Sequence, residues 1–250
     1  MKIGIIGFGN LGRALASGLI QSGSVDIGDI YICENSPDAR AIAENNPYYA
    51  HTSEDVNYVI SNTDVVFLTV KGYVFEKLSA NINRCGLVGK TIVSCMAGET
   101  FEKIYSLIGD VDLVRVMPSL AISFCDGIIA YTKAPAELVE IFSKFGYAFE
   151  TEPDRIENVM AFSACGLGYA AYLINAFAVA GEEMGFPVEQ AAHIAKLTFN
   201  NAVERGGFKE TVKAVATPGG ATEQGVNYMD ECDVQGIVAR AVRKAYERMT

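Results

Sequence analysis

The residues best placed to do chemistry are glycines. Gly7-Phe8-Gly9-Asn10-Leu11-Gly12 forms a G-x-G-x-x-G pattern near the start of the chain. Each glycine has a physical task. Gly7 turns the chain tightly, Gly9 lets a pyrophosphate approach the backbone, and Gly12 lets helix and strand pack closely. Phosphates then rest on free N–H groups at the positive end of the helix dipole. Gly7, Gly9, Asn10, Leu11 and Gly12 are therefore candidate cofactor-binding residues. A second loaded stretch is Thr217-Pro218-Gly219-Gly220-Ala221-Thr222. Pro218 stiffens the turn, and the two glycines admit close approach to the backbone. The N–H groups opening the next helix can hold an anion. This suits a small carboxylate substrate on Gly219, Gly220, Ala221 and Thr222, with the Thr222 hydroxyl over the reacting atom. The same pattern also describes an ordinary helix–helix turn with Thr222 as a cap.

Elements must position these residues. Ile3-Gly4-Ile5-Ile6 is an apolar, β-branched run of the kind buried on both faces of a sheet. Leu11, Ala14, Leu15 and Leu19 recur at helical spacing after the glycine turn. Strand, glycine turn and helix in this order open a dinucleotide-binding unit. Further strands are read at Ile30–Cys33, Asp64–Val70, Lys90–Ser94, Leu113–Met117 and Gly127–Tyr131, with a last one at Tyr147–Thr151. Helices are read between them, one of them over Ser53–Ile60. This alternation predicts right-handed βαβ units and a doubly wound parallel sheet. Ligands in such sheets lie beyond the carboxyl ends of the strands. Gly7–Gly12, Val70-Lys71, Ala97-Gly98 and Met117–Ser119 all sit there.

Glu34 ends the second strand. An acid at this place commonly accepts the adenosine ribose 2′-hydroxyl and favours NAD. Asn35, Ser36 and Arg40 follow, and these can hold a 2′-phosphate. Glu34 can equally be a residue leading into a helix, with Ser36 as N-cap and Pro37 at its first position. The choice between NAD and NADP stays open, with a slight lean to NAD.

Glu152-Pro153-Asp154 marks a boundary, because everything beyond it reads helical. Residues 1–152 are expected to form a Rossmann-type domain, and 153–250 an all-helical dimerisation and substrate domain. The run Val159–Gly181 carries no charge and is long enough to span a membrane. Its Gly, Ala and Ser content, Asn175 and its late position point instead to the centre of a packed bundle. That bundle is expected to include a second subunit. In the last helix Asp233 caps a stripe of Val234, Ile237, Val238, Ala241, Val242 and Ala245.

Bulk properties narrow the function classes. Half of the 250 residues are hydrophobic, enough for a sizeable core, and the net charge is -10. Nucleic acid and anionic membrane both demand a basic patch, so neither is expected as a partner. The cysteines are scattered without metal-ligand spacing and read as reduced, buried thiols. With two histidines and no clustered pair, no metal is expected. Ile3–Ile6 is too short for a signal-peptide core, so a soluble, cytoplasmic protein is expected.

The chain resembles the pyrroline-5-carboxylate reductase family over nearly its whole length. Ile3–Gly12 resembles the family's start. Val70-Lys71, Ala97-Gly98 and Arg115-Val116-Met117-Pro118 match its later cofactor-side strand ends. Ala176 and Ala180-Gly181 fall on its core helix, and Thr217–Thr222 matches its most specific motif. The resemblance implies reduction of 1-pyrroline-5-carboxylate to L-proline with NADH or NADPH. It further implies a helical domain interlocked with a partner's in a homodimer or higher homo-oligomer, and an active site formed between subunits. Thr222 would be catalytic, hydrogen-bonded to the ring nitrogen.

Three segments depart from the family's pattern. Met117-Pro118-Ser119-Leu120-Ala121 stands where Met-Pro-Asn-Thr-Pro is usual. Ser163-Ala164-Cys165-Gly166-Leu167-Gly168-Tyr169 replaces Ser-Gly-Ser-Gly-Pro-Ala-Tyr. Gly72 follows Lys71 where proline is usual. A paralogue acting on another cyclic imine, and a nucleotide-binding regulator without turnover, are the alternatives these changes open. A β-hydroxyacid dehydrogenase shares the two-domain plan, but Tyr172 occupies the place of that family's acid/base lysine.

Overall fold

The computed structural model describes residues 1–45 and 51–249. The chain divides into two compact units, residues 1–164 with 246–250, and residues 165–245.

The first unit opens with β1 (Ile3–Ile6), α1 (Asn10–Gln21), β2 (Ile30–Cys33), α2 (Pro37–Glu44), β3 (His51–Ser53) and α3 (Val56–Ser61). It continues with β4 (Val65–Leu68), α4 (Gly72–Ser79), β5 (Thr91–Ser94), α5 (Phe101–Ile108) and β6 (Asp112–Pro118). Then come β7 (Gly127–Tyr131), α6 (Ala136–Lys144), β8 (Gly146–Glu150) and the short α7 (Ile156–Val159). The strands form one sheet in the order β3-β2-β1-β4-β5-β6-β7-β8.

Period-two alternation along the strands sorts side chains onto the two faces. Ile3, Ile5, Ile30, Ile32, Val65, Phe67 and Val93 share one core with Leu15 and Leu19 of α1 and Phe142 of α6. Ile6, Tyr31, Val66, Leu68 and Ile92 share a second core with Val59 of α3, Phe75 of α4 and Ile104 of α5. The sheet is thus covered on both sides. That explains why its central strands read as continuous apolar runs and not as alternating ones.

The structure differs from the sequence reading in three places. Residues 53–60 are not one helix. Ser53 belongs to β3, and α3 starts at Val56 because the Asp55 carboxylate accepts the Asn57 N–H at 2.9 Å. β3 itself is three half-buried residues at the sheet edge, too short to leave a hydrophobic pattern. The sheet is also not parallel throughout, since β7 pairs antiparallel with β6 while β8 pairs parallel with β7. The short 3-10 segment Leu120–Phe124 joins β6 to β7. A connection of that length suits antiparallel neighbours, whereas a parallel crossover needs a dozen or more residues.

The second unit comprises α8 (Cys165–Glu183), α9 (Val188–Arg205), α10 (Phe208–Val215), α11 (Ala221–Glu231) and, up to residue 245, α12 (Val234–Glu247). α8 meets α9 through an edge-on Phe177–Phe199 pair with centroids 5.9 Å apart. Gly181 lets α8 approach Ala191 closely, since a Cβ there would lie 3.2 Å from the alanine Cβ. Only Ala178, Ala191 and Ala195 are buried on these two helices, and α10, α11 and α12 bury nothing. The α12 stripe is formed as expected and capped by Asp233, whose carboxylate accepts the Gly236 N–H at 3.2 Å. Hydrogen bonding to Arg240 holds the Asp233 carboxyl below its ordinary range.

Candidate active site

β1 lies between β2 and β4, so the chain order reverses at this strand. Such a switch point opens a crevice beyond the strand ends. Register places Cys33, Ile6, Leu68 and Ser94 in one row across β2, β1, β4 and β5. The residues just past that row include Gly7, Glu34, Val70-Lys71 and Ala97-Gly98. The fold therefore brings every cofactor candidate of the first unit to one edge of the sheet.

Gly7 turns with φ +100°, and a Cβ there would lie 2.6 Å from Val70 Cγ1. Its N–H donates to Cys33 O at 2.8 Å. The Thr69 hydroxyl sits within 2.6 Å of Gly7 O and 3.0 Å of Ile6 O, clamping the turn to the end of β4. A Cβ at Gly12 would overlap the Gly7 carbonyl, which is why helix and turn can meet only at glycine. Gly9 is the N-cap of α1, with no side-chain cap and no acid in the first turn. A Cβ on Gly9 would meet nothing within 4 Å. Among the described residues, the N–H groups of Asn10, Leu11 and Gly12 have no hydrogen-bond partner. An uncapped helix start behind an open glycine fits a diphosphate.

The Glu34 carboxylate accepts the Phe8 N–H at 2.6 Å and the Ser36 N–H at 2.7 Å. Asn35 and Ser36 are exposed beside it. Ser36 is the N-cap of α2 and Pro37 its first residue, but the Ser36 side chain makes no cap bond. Arg40 forms ion pairs with Glu44 and with Glu54. Lys71 is exposed and caps α4 by position alone. Gly72 packs on the buried Glu99, whose carboxylate fills the space a residue-72 side chain would occupy. Lys103 pairs with Glu99 at 3.0 Å, and hydrogen bonding to that carboxylate raises the lysine above its ordinary range. Ala97 is exposed. Gly98 has φ +69°, and a Cβ there would lie 2.5 Å from the Met249 carbonyl.

Two departures from the family's pattern have structural explanations. Ser119 is buried and exchanges bonds with β7, its N–H donating to Ile128 O at 2.8 Å and its hydroxyl accepting the Ile128 N–H at 3.0 Å. Gly72 is matched to Glu99, as above. The segment 160–164 is a π-helical turn directly before α8. Arg115 is buried and donates to Glu157 at 2.5 Å and to Met96 O at 3.3 Å.

In the helical unit, Gly219 takes φ +75° and α11 begins at Ala221 with Gly220 as N-cap. Thr222 is therefore the second residue of the helix and not its cap. A Cβ at Gly220 would lie 2.7 Å from Thr217 Oγ1. The Gly219 N–H donates to the Glu223 carboxylate at 2.7 Å, and the Gly220 N–H to Thr217 O at 2.9 Å. The N–H groups of Ala221 and Thr222 have no partner among the described residues.

Sequence reasoning missed Thr69, Glu99, Glu157 and Glu223. Thr69 and Glu99 directly adjoin the quoted strand-end pairs, so their position was a usable signal. Glu223 lies at helical spacing from the turn it holds. Glu157 has no local signal, because its partner Arg115 is far away in sequence. The thiols split. Burial pushes Cys33 and Cys95 up to about 12, whereas Cys85 and Cys232 are exposed.

A switch-point crevice, a tight glycine turn and an open helix start define an NAD(P)-dependent oxidoreductase of the Rossmann class. Residues 2–98 match the family described as NADP oxidoreductase, coenzyme F420-dependent. Residues 153–250 match the family described as pyrroline-5-carboxylate reductase dimerisation. The pyrroline-5-carboxylate reductase of Aquifex aeolicus is 27% identical over 99% of this chain and 96% of its own length. That of Escherichia coli is 28% identical over the same shares. In fold, the chain superposes on a Plasmodium falciparum pyrroline carboxylate reductase solved with NADP bound. The TM-score is 0.90 at 21% identity, covering 100% of this chain and 97% of the other. Over nearly its whole length the chain is thus similar to pyrroline-5-carboxylate reductases, and its residues 153–250 match that family's dimerisation domain.

Proposed function

We propose that the protein reduces 1-pyrroline-5-carboxylate to L-proline with NADH or NADPH. The observation that carries this reading is a similarity spanning both parts of the chain. The dinucleotide cradle and the dimerisation segment lie within one alignment to enzymes of that name. The functional division of this reading falls between residues 152 and 153, and the start of the dimerisation match at residue 153 supports it.

When bound, the reduced dinucleotide supplies the hydride that adds to the imine carbon. The chain's own part is to bind and orient. Gly7, Gly9, Asn10, Leu11 and Gly12 hold the diphosphate at the start of α1. Glu34, Asn35 and Ser36 border the adenosine ribose, and Val70, Lys71, Ala97 and Gly98 follow the cofactor along the strand ends. Gly219, Gly220, Ala221 and Thr222 form the seat of the substrate carboxylate. Gly219 and Gly220 shape this seat, since their N–H groups are already bonded, while Ala221 and Thr222 offer the free donors. The Thr222 hydroxyl accepts a hydrogen bond from the protonated ring nitrogen and so orients the iminium carbon for the hydride. No histidine or carboxylate is assigned as general acid. An iminium is protonated in water before it binds, so orientation carries much of the rate.

The working unit is a homodimer or a multiple of it, with the active site completed by a second copy. The uncovered apolar faces of α8 to α12 support this, as a helical unit with almost no core of its own needs a partner. Pro153–Glu183 is long and apolar enough to cross a membrane. Its place in the dimerisation match supports burial between subunits instead. The net charge of -10 disfavours nucleic acid, and six free cysteines suit the reducing cytoplasm.

A related cyclic imine is the second reading, favoured by Ser119 being tied to β7 where the family's asparagine is usual. The test is turnover by purified protein, with the loss of reduced-nicotinamide absorbance and the amine product both followed. Proline formation is expected. Turnover of another ring alone would favour the second reading. Cofactor binding without any turnover would leave a regulator.

A further inference from the structure

Glu34 and Arg40 make opposite demands on a dinucleotide. A carboxylate at the end of β2 suits a ribose hydroxyl, whereas a free guanidinium suits a 2′-phosphate. Tertiary contacts decide between them.

We infer that Glu34 makes this a site for a dinucleotide with a free adenosine 2′-hydroxyl, NADH rather than NADPH. The inference rests on the glycine turn being the dinucleotide site. Glu34 is positioned from both sides, with one oxygen on the Phe8 N–H at 2.6 Å and the other on the Ser36 N–H at 2.7 Å. The first of these bonds comes from within the glycine turn itself, so the carboxylate is held beside the diphosphate seat. Each carboxylate oxygen keeps a second lone-pair direction. A ribose hydroxyl can donate to it. A 2′-phosphate brings negative charge against a fixed carboxylate and is repelled.

Arg40 does not offset that repulsion. Its Nε lies 3.2 Å from Glu44, and its Nη1 pairs with Glu54 just past β3. Two carboxylates therefore share one guanidinium and offset its charge, which weakens its pull on a phosphate. The Ser36 N–H, another donor for a phosphate, is already bonded to Glu34. Arg13, on the first turns of α1, donates to Asn10 at 2.6 Å.

The experiment is calorimetric titration of the whole protein with ADP-ribose and with 2′-phospho-ADP-ribose. Neither probe carries nicotinamide, so the result does not depend on turnover. ADP-ribose is expected to bind at least about tenfold more tightly. Glu34→Gln keeps the shape and an acceptor but removes the charge, and should bring the two affinities within about threefold. Equal or tighter binding of the 2′-phosphorylated probe to wild type would overturn the inference and leave the nucleotide site standing. A ratio unmoved by Glu34→Gln would do the same. Binding of neither probe would overturn the nucleotide-site reading, and the inference with it.

Discussion

At the scale of single residues, the two glycine turns differ in what their backbones leave free. The first presents unbonded N–H groups behind an open Gly9. Gly9→Asp should therefore fold, since its side chain meets nothing and aspartate is itself a good N-cap. Its carboxylate would occupy the diphosphate's place. Binding of both NADH and NADPH should weaken by on the order of 100-fold or more, with circular dichroism unchanged. Undiminished affinity in a folded variant would remove this turn from the cofactor site. At the second turn the helix cap is Gly220, so the Thr222 hydroxyl is not used as a cap. Thr222→Ala should lower kcat by roughly 30- to 1000-fold, about 2–4 kcal/mol at the transition state. The Michaelis constant and NAD(P)H affinity should move less, and Thr222→Ser should keep much of the rate. Wild-type kcat in the alanine variant would end the catalytic assignment.

Among elements, a buried ion pair links β6 to the helical segment after β8. Arg115 and Glu157 are 3% and 12% exposed, and Arg115 Nε has no hydrogen-bond partner. Removing one partner strands a buried charge, which costs more than the pair's own net contribution. Glu157→Ala should lose about 3–5 kcal/mol in urea unfolding of the assembled protein. Glu157→Gln, which keeps a hydrogen-bond acceptor, should lose less. An alanine variant with an unshifted midpoint would mean that water already solvates Arg115. Most elements here were legible from pattern. β1 and β2 match the predicted bounds, because apolar β-branched runs between breakers are local signals. The antiparallel β7 was not legible, since strand direction depends on what a short connection can reach and not on composition.

For the whole molecule, the decisive feature is apolar surface. Tyr172, Phe177, Leu197, Phe208 and Ile237 are all exposed on the helical unit of one chain. Apolar area of this extent marks an interaction surface. Light scattering at low micromolar concentration should give twice the chain mass of 26.9 kDa, or a multiple of it. A well-folded monomer would refute the shared active site. Protein recovered only with detergent would instead revive the membrane-span reading of Pro153–Glu183.

The sequence by itself determined the glycine turns, the two-part plan, the resemblance to a family and the apolar character of the helical part. These follow from short-range properties: positive φ at glycine, helical or strand periodicity, and an uncharged helix too apolar for water. Only the tertiary structure decided which groups around those motifs are free. Arg40 is engaged by Glu54 from beyond β3, Gly72 is matched to Glu99 from the next strand end, and Ser119 is turned onto β7. The first two pair residues of successive βα units, and the third pairs neighbours across the β6–β7 connection. Charge and hydrogen-bonding capacity belong to a residue type, but whether they remain available to a ligand depends on which neighbours the fold brings within reach.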